Sequence, residues 1–464
     1  MAGSTAVPEK AAADLAAGFR GTVLRPGGEG YEGARHVWNA MIDRRPALIA
    51  RCAGAADVVR AVNVARHHGL ELSVRGGGHN VSGNAVCDGG LMIDLSPMKG
   101  IRVVPASGLV RAQAGCTWRD LDQETQAFGL ATTGGVVPTT GIAGLTLGGG
   151  LGWLMRKHGL SCDNLRSIDL VTANGQLIAA SAEENADLLW AARGGGGNFG
   201  VATAFEYALH PVGRIIGGMV AYQLDDARDA LRHARDISLA APDDLSLMPA
   251  FVTAPDGTKL LAIFVCWCGA LGDGERAIEP LRRFGRPAAD TLAAMSYIEL
   301  QGLIEPGFPP GRHNYWKSGF LRGLDDPAID TLVAAYRAVP SPYSAIAIER
   351  LGGAVARVPD DASAFSHRDA PFNLLIVGIW TDPAETARHV AWVRDLWAAM
   401  QRHTTGGVYV NYLGREADEG GSRVREAFGD AKYHRLAALK HRYDPDNLFR
   451  LNQNILPAGE GVTA

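Results

Sequence analysis

Two apolar periods interleave along the first half of the chain. Val58, Ala61, Val62 and Ala65 recur at helical spacing in DVVRAVNVARHH, which predicts a helix with Asp57 as N-cap and Gly69 as stop. His67 and His68 at its end read as partners of the helix dipole. Around it, ELSV, LMIDLS, IRVV and GLVRAQAG read as short strands. A helix over TWRDLDQETQAFG follows, then a strand over SIDLVTANG closed by an Asn-Gly turn. A helix over EENADLLWAAR and a strand over VATAFEYALH end this region near Pro211.

From about residue 213 the texture changes. GGMVAYQL, KLLAIFVCWCG, SAIAIERLGG and NLLIVGIW read as strands, and the runs between them as helices (DDARDALRHARDISLA, PAIDTLVAAYRAV, ETARHVAWVRDLWAAMQRH). That alternation predicts an antiparallel sheet with helices on one side. The last sixty residues carry a helix, AKYHRLAALKHRY, and then YDPDNLFRLNQNI. The expectation is an α+β chain in three parts: 1–212, 213–405, and a C-terminal segment 406–464 that returns to the first.

Composition narrows the class. The 464 residues are 47% apolar and 20% charged, with a net charge of -4. The charges are scattered, so no footprint for nucleic acid or an anionic membrane emerges. No apolar run is long enough to span a bilayer. The first twenty residues carry Glu9, Lys10 and Asp14 and read as a short helix rather than a signal peptide, so cytoplasmic residence is expected. None of the six cysteines forms a CxxC pair. Cys266 and Cys268 lack the second pair a zinc site needs, so buried thiols and no metal are expected.

Glycine changes the picture. Its 58 residues cluster at 76–78, 89–90, 134–135, 148–152 and 194–200. Such clusters mark tight turns or close approach of backbone to a ligand. Gly195–Gly200 matches GxGxxG, but a helix is expected before it and a strand after it, the reverse of a dinucleotide fingerprint. No glycine cluster runs into Lys-Ser or Lys-Thr, which excludes a P-loop. Arg75-Gly76-Gly77-Gly78-His79-Asn80 is a candidate anion nest, its backbone N–H groups placed to hold a pyrophosphate and its histidine beside it. Taken alone, the loop reads more readily as a tight turn whose histidine caps a carbonyl.

The set of motifs goes further. RGGGHN, then GGVVPTTGIAGLTLGGGLGW, HGLSCDNL, RGGGGNFG and the closing YDPDNLFRLNQNI resemble those of FAD-linked oxidases of the vanillyl-alcohol oxidase superfamily. Within it, the chain is most similar to the berberine-bridge-enzyme-like group, from about residue 35 to 456. The resemblance implies a two-part FAD-binding domain, a substrate domain, and FAD bonded through its 8α-methyl to His79. It also implies that Arg75, Gly76, Gly77, Gly78, His79, Asn80 and Ser82 wrap the pyrophosphate. Thr139, Gly141, Gly144, Thr146, Gly149, Gly150 and Gly152 of the second loop, with Asp163, Asn164 and Val201, would contact the ADP half and the ring system. Asn452 and Asn454 match a segment that returns to the flavin. Doubly linked members carry a cysteine in G-x-C-P-T-x-G. Here Val137 stands at that position, which predicts a single link, with Cys162 a buried thiol.

Flavin chemistry on a C–H donor also needs a group to take the substrate's proton. Tyr412, in Y-x-N-Y, matches a tyrosine that is often the base in relatives. Glu349 lies two positions after Ala347, where other relatives carry an acid, and strand alternation gives both the same facing. Either also has a structural reading, Tyr412 packing on a ring and Glu349 paired with a cation. Arg350 and Lys317 are candidate stabilisers of a phenolate. His313, Asn314, Tyr315 and Trp316 are a candidate pocket cluster or an ordinary core cluster. The expected partners are a small organic substrate and dioxygen, with a homodimer left open. Two alternatives are a dehydrogenase with another electron acceptor and a flavoprotein that sequesters an antibiotic-like ligand.

Overall fold

Strand alternation sorts the longest apolar runs onto the two faces of one large antiparallel sheet. Its strands lie in the order Ala289–Asp290, Ile215–Gln223, Lys259–Trp267, Leu245–Thr253, Ala345–Arg350, Phe372–Trp380 and His313–Leu321, and Ala293–Met295 also pairs with Ile215–Gln223. On one face, Ile346, Ile348, Leu374 and Ile376 meet Leu231, Ile278, Leu332 and Val393 in a continuous core. Those four partners come from the helices Ala227–Ala240, Leu271–Arg283, Asp326–Arg337 and Thr386–Met400. Burying each such side chain is worth about 1.5–3 kcal/mol, so this face is committed to the helices. The other face, with Met219, Met248, Ala250, Phe264, Ala347, Leu375 and Val377, borders a cavity.

This is the structure of a computed structural model in which residues 9–414 and 421–459 are described. Two smaller sheets build the first half. One runs in the order Thr22–Leu24, Leu48–Arg51, Leu91–Asp94, Leu72–Arg75, with parallel pairing among the last three. The other is antiparallel, in the order Ile101–Val104, Leu109–Gln113, Val201–Ala208, Leu165–Val171, Leu177–Ala180. Both share a core with Val58, Ala61, Val62 and Ala65 of the helix Ala55–His67. Leu436, Leu439, Phe449 and Ile455 enter that same core, so the C-terminal segment returns to the first half of the chain. The fold is α+β, with helices on one side of the large sheet.

Several local expectations are met and some are corrected. Thr117 caps the helix Trp118–Gln126 in a reciprocal box with Asp120. Gly69 follows the helix Ala55–His67 at φ +61°, and Gly175 closes the Asn-Gly turn at φ +79°. Asp57 is not an N-cap, because the helix starts two residues earlier, after Gly54. Its buried carboxylate instead accepts the N–H groups of Arg20 (2.9 Å), Gly21 (3.0 Å) and Ala53 (2.8 Å), which ties the N-terminal strand to the helix. His68 bonds to Asp14 at 2.9 Å. The N-terminal helix covers Glu9–Ala16, and the first eight residues lie outside the described ones.

Leu245–Thr253 and His313–Leu321 are strands that the apolar pattern did not announce. Pro249 obscures the first, since proline removes a ladder donor. It is tolerated because pairing with Ala345–Arg350 involves only Ala250 and Phe251. Among the described residues no helix is long and apolar enough to cross a membrane, and no group of side chains could hold a metal ion.

Candidate active site

The strand Leu72–Arg75 delivers the first glycine loop. Arg75 does not face the cavity. Its guanidinium grips buried Asp94 through two bonds, of 3.0 and 2.7 Å, and donates to the carbonyls of Ala34 (2.5 Å) and His36 (3.1 Å). The arginine therefore anchors the loop from behind. Immediately after it, Gly77 meets Gly141 of the second loop backbone to backbone. A Cβ on Gly77 would lie 2.4 Å from the Gly141 nitrogen and 2.6 Å from its Cα. No side chain fits between the two loops. His79 is buried and stacks on Trp38, with ring centroids 4.4 Å apart and planes 17° from parallel. Burial pulls its imidazole down to about 4, so it is neutral at physiological pH. Its Nε2 is buried with no partner among the described residues.

A cavity of about 600 Å³ runs from these loops to the open face of the large sheet. Of the sequence-derived candidates, Gly76, Gly77, Gly78, His79, Asn80, Gly141, Gly144, Val201, Asn452, Glu349 and Tyr412 line it. The others stand behind or away from its wall. Ser82 bonds to the Asn80 side chain, and the Thr146 hydroxyl bonds to that of Tyr207 at 2.8 Å. Thr139 is exposed, and its neighbour Thr140 takes the lining position. The Cα atoms of Gly149, Gly150 and Gly152 face Phe365, Ser161 and Gly134. Asp163 is paired with buried Arg368 at 2.6 and 3.0 Å. Asn164 donates to the carbonyls of His158 and Leu160 and bonds to His210. Asn454 keeps a buried Oδ1 with no partner among the described residues.

Sequence reasoning missed part of the wall. Gly196, Gly197 and Gly200 line it. They come from the GxGxxG match set aside as a dinucleotide fingerprint, and the helix Ala186–Ala192 does precede them and the strand Val201–Ala208 follow. Val137, the residue at the second-link position, also lines the cavity, whereas Cys162 is fully buried outside it.

The Y-x-N-Y segment divides its work. The Tyr409 hydroxyl accepts the N–H groups of Gly150 (2.9 Å) and Leu151 (3.3 Å). Asn411 donates to the Leu145 carbonyl at 3.0 Å and to the Tyr409 hydroxyl at 2.7 Å, while its own carbonyl receives Asn80 Nδ2 at 3.1 Å. A Cβ on Gly148 would sit 2.0 Å from Asn411 Oδ1. Tyr409 and Asn411 thus clamp the glycine loops, and Tyr412 reaches the cavity.

Tyr412 meets Glu349 there. Its hydroxyl donates to Glu349 Oε1 at 2.9 Å, and Asn373 Nδ2 donates to Oε2 at 2.6 Å. Burial raises the Glu349 carboxyl to about 7, against the two donors, which lower it. Burial, and next the Glu349 charge, hold the Tyr412 phenol well above its ordinary value of 10.0. Alternation places Ala345, Ala347 and Glu349 on the cavity side, and Ile346 and Ile348 on the helix side. Arg350 shares the parity of the isoleucines and donates to the Pro371 carbonyl at 2.8 Å. Lys317 shares the parity of Tyr315, which packs in the helix-side core. Neither cation faces Tyr412. From the RHNYWKSGF cluster only Trp316 lines the cavity, edge-on to Tyr412 at 5.8 Å. His313 packs on Trp380, and Asn314 bonds to Asn39.

The residues present suit a flavin dinucleotide. A groove walled in part by glycines from three loops leads past His79 Nε2, which has no partner among the described residues, to an apolar chamber whose one carboxyl group among those residues is Glu349. Fold and site together define an FAD-dependent oxidoreductase. Residues 46–181 match the FAD binding domain family, and residues 408–456 match the berberine and berberine-like family. An FAD-linked oxidoreductase of Dictyostelium discoideum is 33% identical over 444 residues, 95% of each chain. The (R)-6-hydroxynicotine oxidase of Paenarthrobacter nicotinovorans is 34% identical over 464 residues, covering 95% of this chain and 98% of its own. The solved structure of 6-hydroxy-D-nicotine oxidase from Arthrobacter nicotinovorans superposes with a TM-score of 0.87 at 32% identity, over 95% of this chain and 98% of that one. The chain belongs to the berberine-bridge-enzyme-like FAD-linked oxidoreductases.

Proposed function

We propose that this protein is an oxidase that holds FAD through a single covalent bond to His79 and takes a proton from its substrate with Glu349. FAD, when bound, supplies the two-electron acceptor, and dioxygen restores it. The glycine loops at 76–78, 141–144 and 196–200 would carry the pyrophosphate and ring on backbone alone, and Asn452 offers a buried Oδ1 with no other partner among the described residues. On this reading residues 1–212 and 406–464 bind the cofactor and 213–405 the substrate. Val137 in place of a second cysteine supports one link rather than two, as does the burial of Cys162 outside the cavity. Cytoplasmic residence is supported by six free cysteines, five of them buried.

One observation carries the reading: Glu349 and Tyr412 form a bonded pair in the wall of the cavity that the glycine loops open into. A carboxylate there accepts the O–H or N–H proton of a substrate. Tyr412, already donating to it, fixes its orientation. The apolar walls exclude water, which strengthens both interactions. Anaerobic mixing with oxidisable alcohols and amines tests the reading. A substrate should bleach the flavin, and admitted air should restore the colour within seconds. A flavin that bleaches but recolours only with an added electron acceptor would make the protein a dehydrogenase.

A further inference from the structure

The sheet-side wall of the cavity is built from Met219, Met248, Phe264, Trp316, Leu375 and Val377 around a single acid, Glu349. Among the described residues, no lysine, arginine or aspartate side chain lines any part of it. The few other polar groups on this wall are engaged elsewhere. Thr253 shares a bond with the Tyr336 hydroxyl at 3.0 Å, Trp316 Nε1 donates to Asn314 Oδ1 at 3.3 Å, and the Tyr412 hydroxyl is held by Glu349. The wall therefore offers a ligand one carboxyl group and otherwise carbon and sulfur.

We propose that the substrate is a small apolar amine, bound as its ammonium form against Glu349, and that sugars and carboxylates are refused. The assignment rests on the oxidase reading above for the location of the substrate end. A buried carboxylate without a cationic partner is costly, and an incoming ammonium supplies that partner through a charge-assisted hydrogen bond. A sugar brings several hydroxyls, and each one left unpaired against this wall costs about 1–3 kcal/mol. A carboxylate ligand would face Glu349 with no cation between them.

Calorimetric titration of the FAD-loaded protein reads this without turnover. The probes are cumylamine, cumyl alcohol, the carboxylate built on the same cumyl group, and glucose. The amine has no hydrogen on the carbon that bears nitrogen, so it cannot be oxidised there. The expected order is amine tightest, the alcohol weaker by about tenfold or more, and no saturable binding of the carboxylate or glucose. Glu349→Gln should erase the preference of amine over alcohol while leaving alcohol affinity within about threefold, since the charge is lost and the shape kept. Equal binding of amine and alcohol, binding of glucose or the carboxylate as tight as the amine, a preference that survives in Glu349→Gln, or no binding of any probe would each overturn the assignment. Amine binding without bleaching by any oxidisable amine would leave it standing and sink the oxidase reading instead.

Discussion

The Tyr412 hydroxyl donates to Glu349 Oε1 at 2.9 Å, so in this pair the tyrosine gives the hydrogen bond and the carboxylate receives it. With the phenol held above 10.0 and the carboxyl near 7, the acid is the group matched to accept a proton near neutral pH. Glu349→Gln should lower the anaerobic flavin-reduction rate by ~10²–10⁴. Tyr412→Phe keeps the ring and loses one oriented donor, so a drop of about tenfold is expected. Stopped-flow traces on fully flavinylated variants decide it, and a larger loss in Tyr412→Phe would return the role of base to the tyrosine.

The pH profile follows from the same pair. Only ionised Glu349 accepts a proton, so flavin reduction should rise with pH and level off above about 7. Asn373 donates to the carboxylate and lowers its pKa, so Asn373→Leu should shift the midpoint upward. A purely structural asparagine would change the plateau and leave the midpoint in place.

Asp122 makes a stability prediction. It is buried between the helices Trp118–Gln126 and Tyr297–Gly302, where Gln301 Nε2 donates to it at 2.8 Å. Burial raises its carboxyl from 3.8 to about 7. A folded pKa above the unfolded one means the folded state binds the proton more tightly. The contribution is complete below 3.8 and is lost as pH rises through about 7. Asp122→Asn should flatten the fall in thermal stability between pH 5 and 8, by an amount on the order of a few kcal/mol. An unchanged slope would show that Asp122 is ionised throughout.

Gly77 and Gly141 predict a sharp intolerance. Even Gly77→Ala puts a Cβ 2.4 Å from backbone nitrogen, and backbone cannot swing aside as a side chain can. The variant should emerge with little flavin and a lowered Tm. Gly144→Ala, where a Cβ would meet nothing within 4 Å of protein, tests the groove separately. It should fold normally and bind FAD more weakly. Normal flavin content in both variants would remove the loops from the cofactor site.

What the sequence disclosed and what it hid follow a physical division. RGGGH and Y-x-N-Y were legible because each is contiguous. Alternation gave Glu349 the facing of Ala347, where relatives carry an acid, since a strand has period two. Asn373 was invisible because it reaches Glu349 from the neighbouring strand, through a register no single strand encodes. Trp38, stacked on His79, sits in a loop forty-one positions earlier with no period to mark it. Glycine content misled in the opposite direction. Gly149, Gly150 and Gly152 look like ligand-facing residues, yet their Cα atoms abut protein, whereas Gly196 and Gly197 in a set-aside motif face the cavity. Asp57 looked like a cap because it precedes the apolar face, and only the contacts of Arg20 and Gly21 reveal its role.

The attachment at His79 is the most direct test of the account. Acid-precipitated and washed protein should remain yellow. Trypsin should release the peptide 76–99, which contains His79 and Cys87, carrying one flavin, and fragmentation should place the flavin on the histidine. Flavin recovered entirely in the supernatant, with peptide 76–99 unmodified, would contradict the account.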